Sequence, residues 1–153
     1  MITATYGGMG LSSHVRFCDS LAQKDSFRVQ KRDGVAINRD LGRVHGNAKY
    51  DYEVIEPHAS FPIEIVLEND QDWQLELILS TLDMLEDGLI RIGGFTSRGL
   101  GRVHVENTRV HRASLRQLLK KEEGDEINID QLFAKNQLEE TLHAWVDFQK
   151  NPQ

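Results

Sequence analysis

A single amphipathic helical segment, set between stretches of alternating apolar and polar residues, most constrains the fold of this chain. Asp72 is a suitable N-cap for a helix that begins at Trp73, and Gly88 is a suitable glycine just beyond its end. Apolar side chains recur between them at the spacing of one helix face: Leu75, Ile78, Leu79, Leu82 and Leu85. The spacing predicts one central helix that buries this stripe.

Alternating residues predict strands on both sides of that helix. The predicted strands span residues 13–19, 32–37, 50–55, 61–67 and 102–109. Val15 and Phe17 are predicted to face inward in the first strand, as are Val103 and Val105 in the last. Short helices are predicted over residues 114–121, 130–135 and 138–148. This order indicates an α+β fold with an antiparallel sheet.

The length of 153 residues is sufficient for one domain with its own core. We expect a single domain over residues 1–153, with a core at about 12–112 and a C-terminal helical extension at 113–153. The lone cysteine, Cys18, excludes an internal disulfide and a cysteine-rich zinc site. No apolar run approaches membrane-spanning length and the N-terminus does not resemble a signal peptide, so we expect a cytoplasmic protein without a membrane partner.

The distribution of charge is more informative than the net charge of −6. Residues 28–49 carry six basic side chains against two acidic ones, and residues 51–90 carry eleven acidic side chains and no Lys or Arg. Residues 91–116 then carry six arginines against Glu106 alone. Arginine presents a planar fork suited to phosphate. If the two basic segments adjoin in space, an acidic protein has a cationic face suited to nucleic acid.

A glycine-rich segment is the strongest candidate for a binding site. Four of the twelve glycines fall between Gly93 and Gly101, and such loops let a phosphate approach the backbone. The candidate binding residues are Gly93, Gly94, Phe95, Thr96, Ser97, Arg98, Gly99, Gly101 and Arg102. The segment lacks the lysine of a P-loop and the spacing of a dinucleotide-binding turn. A plain glycine hairpin without a ligand remains open, and Phe95 could either stack on a base or fill the core.

Four stretches in the same order carry a resemblance to a known family. They are S-S-H-V-R-F-C-D-S at 12–20, R-D-G-V-A-I-N-R-D-L-G-R-V at 32–44, E-V-I-E-P-H-A-S-F at 53–61 and G-G-F-T-S-R-G-L-G-R-V at 93–103. Together they resemble the RAMP superfamily, and in particular the CRISPR-associated backbone subunits of type III effectors. One departure is His58-Ala59, which replaces the glycine that follows the proline in the family pattern.

The resemblance implies a ferredoxin-like, RRM-like core that binds CRISPR RNA and presents it to target RNA, with copies stacked along the guide. It implies that residues 93–102 lie against the guide backbone and that Asn38, Arg39 and Arg43 belong to a hairpin that interrupts base pairing. It implies no cofactor. Its partners would be CRISPR RNA, target RNA and other CRISPR-associated subunits.

The sequence favours a non-catalytic role, and we assign no catalytic residue and no metal site. The resemblance begins near Tyr6, so we expect no counterpart here of the longer N-terminal segment that carries the family's RNA-cleaving aspartate. Two alternatives stay open: an endoribonuclease subunit that uses an acid from a neighbouring chain, and an adaptor that binds only protein. A sheet that lacks its first strand would expose an edge, so we expect a neighbouring subunit to complete it.

Overall fold

The computed structural model describes residues 2–22, 27–37, 40, 42, 44–135 and 137–142. It divides into two compact units, Arg16–Val66 and Met1–Val15 with Leu67–Gln153. In chain order the elements are α1 (Ile2–Tyr6), β1 (Val15–Phe17), β2 (Val29–Ile37), β3 (Val44–Ile55), β4 (Ile65–Leu67), α2 (Asp72–Glu86), β5 (His111–Arg112), α3 (Leu115–Lys120), β6 (Asp125–Glu126) and α4 (Ile129–Phe133). Helices occur beside small antiparallel sheets, which confirms the predicted α+β class.

The helix α2 is the amphipathic helix that the sequence predicts. Four side chains of its apolar stripe are buried: Leu75, Ile78, Leu79 and Leu85. Leu82, the fifth, is partly buried. Its N-cap is Gln71 rather than Asp72, and the Gln74 side chain accepts a hydrogen bond from the Gln71 backbone N–H at 2.9 Å. The prediction missed Gln71 because glutamine is not among the usual capping residues.

The longest strand pair is the ribbon of β2 and β3 in the first unit. Its antiparallel register places Val29 opposite Ile55 and Gly34 opposite Tyr50. The Tyr50 ring covers Gly34 so closely that a Cβ at position 34 would overlap it, which explains a glycine inside a strand. The predicted strands at 32–37 and 50–55 are confirmed, and both extend further than the alternation indicated.

The strands β1 and β4 pair with each other and are shorter than predicted. The Glu68 N–H donates to the His14 carbonyl at 2.8 Å and the Cys18 N–H donates to the Glu64 carbonyl at 3.0 Å, which is an antiparallel pattern. Residues 61–64 are not in a strand, since Pro62 has no N–H to donate to a ladder. The prediction that Phe17 faces inward was wrong, because its side chain is 59% exposed.

The core of the second unit forms where α2 meets the C-terminal elements. Leu75, Leu79 and Leu132 are its buried centre. At the start of α2, the Asp72 carboxylate accepts hydrogen bonds from Arg112 at 2.8 Å and Lys135 at 3.0 Å. These bonds hold β5 and the residues just after α4 against the first turn of α2.

The C-terminal helices follow the prediction within the described residues. α3 begins after Ser114, whose hydroxyl accepts from the Gln117 N–H at 3.3 Å, and α4 corresponds to the predicted helix at 130–135. Residues 137–142 are helical, and the rest of the predicted helix at 138–148 lies outside the described residues.

The strand predicted over residues 102–109 does not form. The alternation itself is present, because Val103 and Val105 are half-buried while Arg102 and His104 are exposed. No strand ladder joins this extended segment among the described residues. A period of two therefore predicted the burial of these side chains but not their backbone pairing.

Candidate nucleic-acid interface

The end of α2 leads directly into the glycine-rich loop. Gly88 follows the C-cap with φ +73°, in the left-handed region that favours glycine, and it stops the helix as predicted. The N–H groups of Leu89 and Ile90 both donate to the Met84 carbonyl, at 2.9 Å and 3.2 Å. These hydrogen bonds and the left-handed Gly88 turn the chain away from the helix axis at residues 88–90.

The base of the loop is closed by one backbone hydrogen bond. The Ile92 N–H donates to the Gly101 carbonyl at 2.9 Å. Gly101 has φ +82°, and a Cβ there would overlap the Ile92 carbonyl oxygen and lie 3.0 Å from its carbonyl carbon. Only glycine lets the two ends of the loop approach this closely.

The tip of the loop is a single 3-10 turn over Thr96–Arg98. Phe95 before the turn has φ +56° and Gly99 after it has φ +89°, so both flanking residues are left-handed. The Arg98 N–H donates to the Phe95 carbonyl at 2.8 Å. Nothing lies within 4 Å of a Cβ placed on Gly93, Gly94 or Gly99, so the glycine backbone is open to an incoming ligand.

Three arginines surround the loop. Arg91 donates from a guanidinium nitrogen to the Thr96 carbonyl at 3.2 Å, which ties the base of the loop to its tip. The Arg98 guanidinium lies 4.9 Å from the centroid of the Phe95 ring, in cation–π geometry. Phe95 is itself 41% exposed, so it does not fill the core beneath the loop. The third arginine is Arg102, which follows the loop, and all three side chains are exposed.

The segment that leaves the loop is held by the last residue of α2. The Glu86 carboxylate accepts from the Val105 N–H at 2.5 Å and contacts His104 Nδ1 at 3.1 Å. The Val105 hydrogen bond, then His104 and the nearby Arg102, hold the pKa of Glu86 below its usual value. The Arg102 guanidinium lies against Gly88, 3.5 Å from the point where a Cβ would stand.

The structure brings the candidate residues 93–102 together in this one exposed loop. Asn38, Arg39 and Arg43 lie outside the described residues, so the expected union of the two basic segments stays a prediction. Two side chains with contacts to the loop or its exit were not among the predicted site residues: Arg91 and Glu86. The signal for Glu86 was present in the sequence, since an acid in the last turn of a helix opposes the helix dipole and calls for an explanation.

No metal-binding cluster is found in the described part of the chain. His104 and His111 are both exposed, and no group of three or more His, Cys, Asp or Glu side chains there could hold a metal ion. An open cleft of about 590 Å³ lies between α3, β6 and α4. Its two cations, Arg112 and Lys135, are both paired with Asp72, and Arg112 is also paired with Asp70 at 2.8 Å.

No helix in the described ranges combines the length and apolarity that crossing a membrane requires. No curated protein sequence matches the chain. Residues 1–104 match the sequence profile of the RAMP superfamily, a span that contains α1, the β2–β3 ribbon, α2 and the whole glycine-rich loop. The match also includes the residues before Tyr6, which the motif resemblance did not reach. RAMP domains are ferredoxin-like, and RAMP proteins are RNA-binding components of CRISPR complexes. With more than half of its length matched and an exposed, arginine-flanked glycine loop within the match, this chain belongs to the RAMP superfamily and is a CRISPR-associated, RNA-binding protein.

Proposed function

We propose that this chain is a backbone subunit of a type III CRISPR effector complex that holds CRISPR RNA by its phosphates for target recognition in antiviral defence. The observation that carries the proposal is the exposed loop 93–101, which is open at three glycines, contains Arg98 and is flanked by Arg91 and Arg102. In this proposal residues 1–153 act as one RNA-binding domain in the cytoplasm. The subunit is non-catalytic by itself and needs no cofactor.

The chemistry of the loop suits a phosphate backbone better than a base edge. Its glycines remove the side chains that would keep a phosphate away from the main-chain N–H groups. Thr96 and Ser97 add hydroxyl donors, and the arginines add positive charge. None of these contacts depends on base identity, as a subunit that accommodates any guide sequence requires.

The stiffness of the loop also favours binding. The closing bond from Ile92 to Gly101 and the bond from Arg91 to Thr96 fix its base and its tip before RNA arrives. A loop that is already ordered loses less conformational entropy on binding than a flexible one. The Phe95 ring, under Arg98, offers an additional stacking surface for a base.

The proposed partners beyond RNA are neighbouring CRISPR-associated subunits, including further copies that stack along the guide. Support comes from apolar side chains that remain exposed on β1, β2 and β3, where Phe17, Val29 and Ile55 are each more than half exposed. Apolar surface at sheet elements is costly in water and is commonly covered by a partner. A neighbouring subunit would also complete the short sheets.

Alanine substitution of the two arginines on the loop and its exit tests the proposal. The matched control is Arg116→Ala, which removes the same charge from the exposed surface of α3. With an unstructured single-stranded RNA as the probe, Arg98→Ala and Arg102→Ala should each weaken binding by about five- to tenfold. The slope of log affinity against log salt should fall by about 0.7 for each, because each variant neutralises one phosphate fewer on the single strand.

Equal effects of all three substitutions would contradict the proposal, since they would mean that RNA responds only to total charge. Unchanged RNA affinity in the two loop variants, together with abolished binding to another complex subunit, would identify the chain as an adaptor for protein. Cleavage of single-stranded RNA by the purified chain would overturn the non-catalytic assignment.

A further inference from the structure

We infer that Glu86 is a positioning residue for RNA binding, a carboxylate that anchors the exit of the glycine-rich loop and so sets the place of Arg102. The inference rests on the proposed function, because it names a residue that supports the same RNA-binding surface without touching RNA. It follows from the contacts of the carboxylate and from its position on α2.

Glu86 occupies a place where electrostatics alone disfavours an acid. It is the last residue of α2, where the negative end of the helix dipole repels a carboxylate, and the last turn carries no basic residue. It also lies beside a surface that has to attract phosphate. A carboxylate here is repelled by the negative end of the helix dipole and would also repel an RNA phosphate. Any favourable contribution from Glu86 must therefore come from the hydrogen bonds that it makes.

Those bonds go to the segment that follows the loop. One oxygen of Glu86 accepts the Val105 N–H at 2.5 Å and the other contacts His104 Nδ1 at 3.1 Å. Residues 102–109 form no strand ladder in the described structure, and the Val105 N–H is instead satisfied by this side chain. Glu86 therefore accepts a backbone hydrogen bond that the carbonyl of a neighbouring strand would otherwise accept.

The anchor also determines where Arg102 lies. Arg102 is three residues before Val105, and its guanidinium lies against Gly88, two residues after Glu86. Its charge acts on the Glu86 carboxylate and contributes to the lowered pKa of that group. Arg102 lies in a short segment whose backbone is held at both ends. The Ile92–Gly101 hydrogen bond holds the end before it, and the Glu86 carboxylate holds residues 104–105 after it.

Two effects of removing Glu86 have opposite signs, which makes the inference testable. Loss of a negative charge near RNA should strengthen binding through electrostatics alone. Loss of the anchor should weaken binding, because Arg102 then has to be ordered when RNA binds. We expect the second effect to prevail, so Glu86→Ala should weaken RNA affinity by about three- to tenfold.

The experiment measures the affinity of the full chain for an unstructured single-stranded RNA over a range of salt concentrations. Asp83→Asn is the matched control, since it removes one negative charge from the exposed side of the same helix, one turn earlier. It should leave RNA affinity unchanged or raise it. Glu86→Gln should retain most of the wild-type affinity, because its amide oxygen still accepts the Val105 N–H. Glu86→Asp keeps the charge but loses reach, so it should behave like Glu86→Ala; it serves as the second test if Glu86→Ala does not fold.

A double-mutant cycle with Arg102→Ala separates positioning from a general loss of stability. If Glu86 acts through Arg102, the double variant should bind RNA no more weakly than Arg102→Ala alone, because only the electrostatic gain from the lost carboxylate remains. Additive losses, or a Glu86→Ala affinity equal to that of Asp83→Asn while Arg102→Ala is weakened, would overturn the inference and leave the proposed function standing. Unchanged affinity in Arg102→Ala alone would overturn the inference, and unchanged affinity in both Arg98→Ala and Arg102→Ala would overturn the proposed function as well.

Discussion

Replacement of Gly101 by alanine should open the glycine-rich loop and thereby weaken RNA binding. Gly101 has φ +82°, and an alanine there would be both strained and in steric overlap with the Ile92 carbonyl oxygen. Left-handed backbone costs a residue with a Cβ about 1–2 kcal/mol. Relief of the overlap requires loss of the 2.9 Å bond from Ile92 to Gly101, worth about 1 kcal/mol more.

Two other glycines in the same loop serve as controls. Gly99 is also left-handed, at φ +89°, but has open space around it, so Gly99→Ala should cost only the conformational strain of about 1–2 kcal/mol. Gly94 has open space and no positive φ. Gly94→Ala should therefore be neutral or stabilising by up to about 1 kcal/mol, since alanine restricts the unfolded chain.

Hydrogen exchange of the Ile92 amide is the direct assay, because it detects local opening of the loop as well as global unfolding. A total of about 2–3 kcal/mol in Gly101→Ala corresponds to exchange that is about 30- to 150-fold faster than in the wild type. RNA affinity should fall in Gly101→Ala because the loop opens, and in Gly94→Ala and Gly99→Ala because each adds a methyl group to the open glycine backbone that is proposed to face phosphate. Equal Ile92 protection in Gly101→Ala and Gly94→Ala would contradict this expectation, since it would show that the close approach at Gly101 does not hold the loop.

Two further predictions concern the core that supports the site. Glu76 is 2% exposed, one of its oxygens accepts the Leu138 N–H at 2.7 Å, and its Oε1 has no partner among the described residues. Glu76→Ala should lower the free energy of unfolding in urea by about 2–3 kcal/mol, because it leaves the Leu138 donor unpaired, whereas Glu76→Gln should change it by less than about 1 kcal/mol; equal losses would contradict the role of the acceptor. The hydrogen bond from Lys135, and then that from Arg112, lowers the pKa of Asp72, so its carboxylate stabilises the fold at neutral pH and loses this effect as the pH falls through the lowered pKa. Asp72→Asn should thus be less stable than the wild type at neutral pH, with a difference that shrinks in acid; a difference that is constant with pH would exclude the ion pairs as its cause.

The sequence predicted the features of this fold that depend on local periodicity. The stripe of α2 and the Gly88 stop were correct because helix burial and left-handed termination leave strong local patterns. The strand ends were less accurate, since Pro62 shortens β4 and the alternation at 102–109 gives half-burial without a ladder. Pairing depends on a partner strand, which no local pattern reveals.

In the candidate site, too, the features set by local sequence were predictable and those set by tertiary contacts were not. The glycine composition predicted an open loop, and the structure shows open space around three of its glycines. The roles of Arg91 and Glu86 depend on contacts with Thr96 and Val105, and those contacts form only once the chain has turned at Gly88 and Gly101. The place of Arg102 against Gly88 is likewise set by tertiary structure.

Contact between the loop 93–102 and RNA is tested most directly by mapping amide chemical shifts of the isotopically labelled chain during titration with single-stranded RNA. We expect the largest shifts to fall on Gly93, Gly94, the turn Thr96–Arg98 and Arg102, and to diminish as salt is added. Titration with inorganic phosphate alone should affect these amides far less. Shifts confined to other surfaces, such as α3, or no shifts at saturating RNA, would show that the loop does not bind RNA.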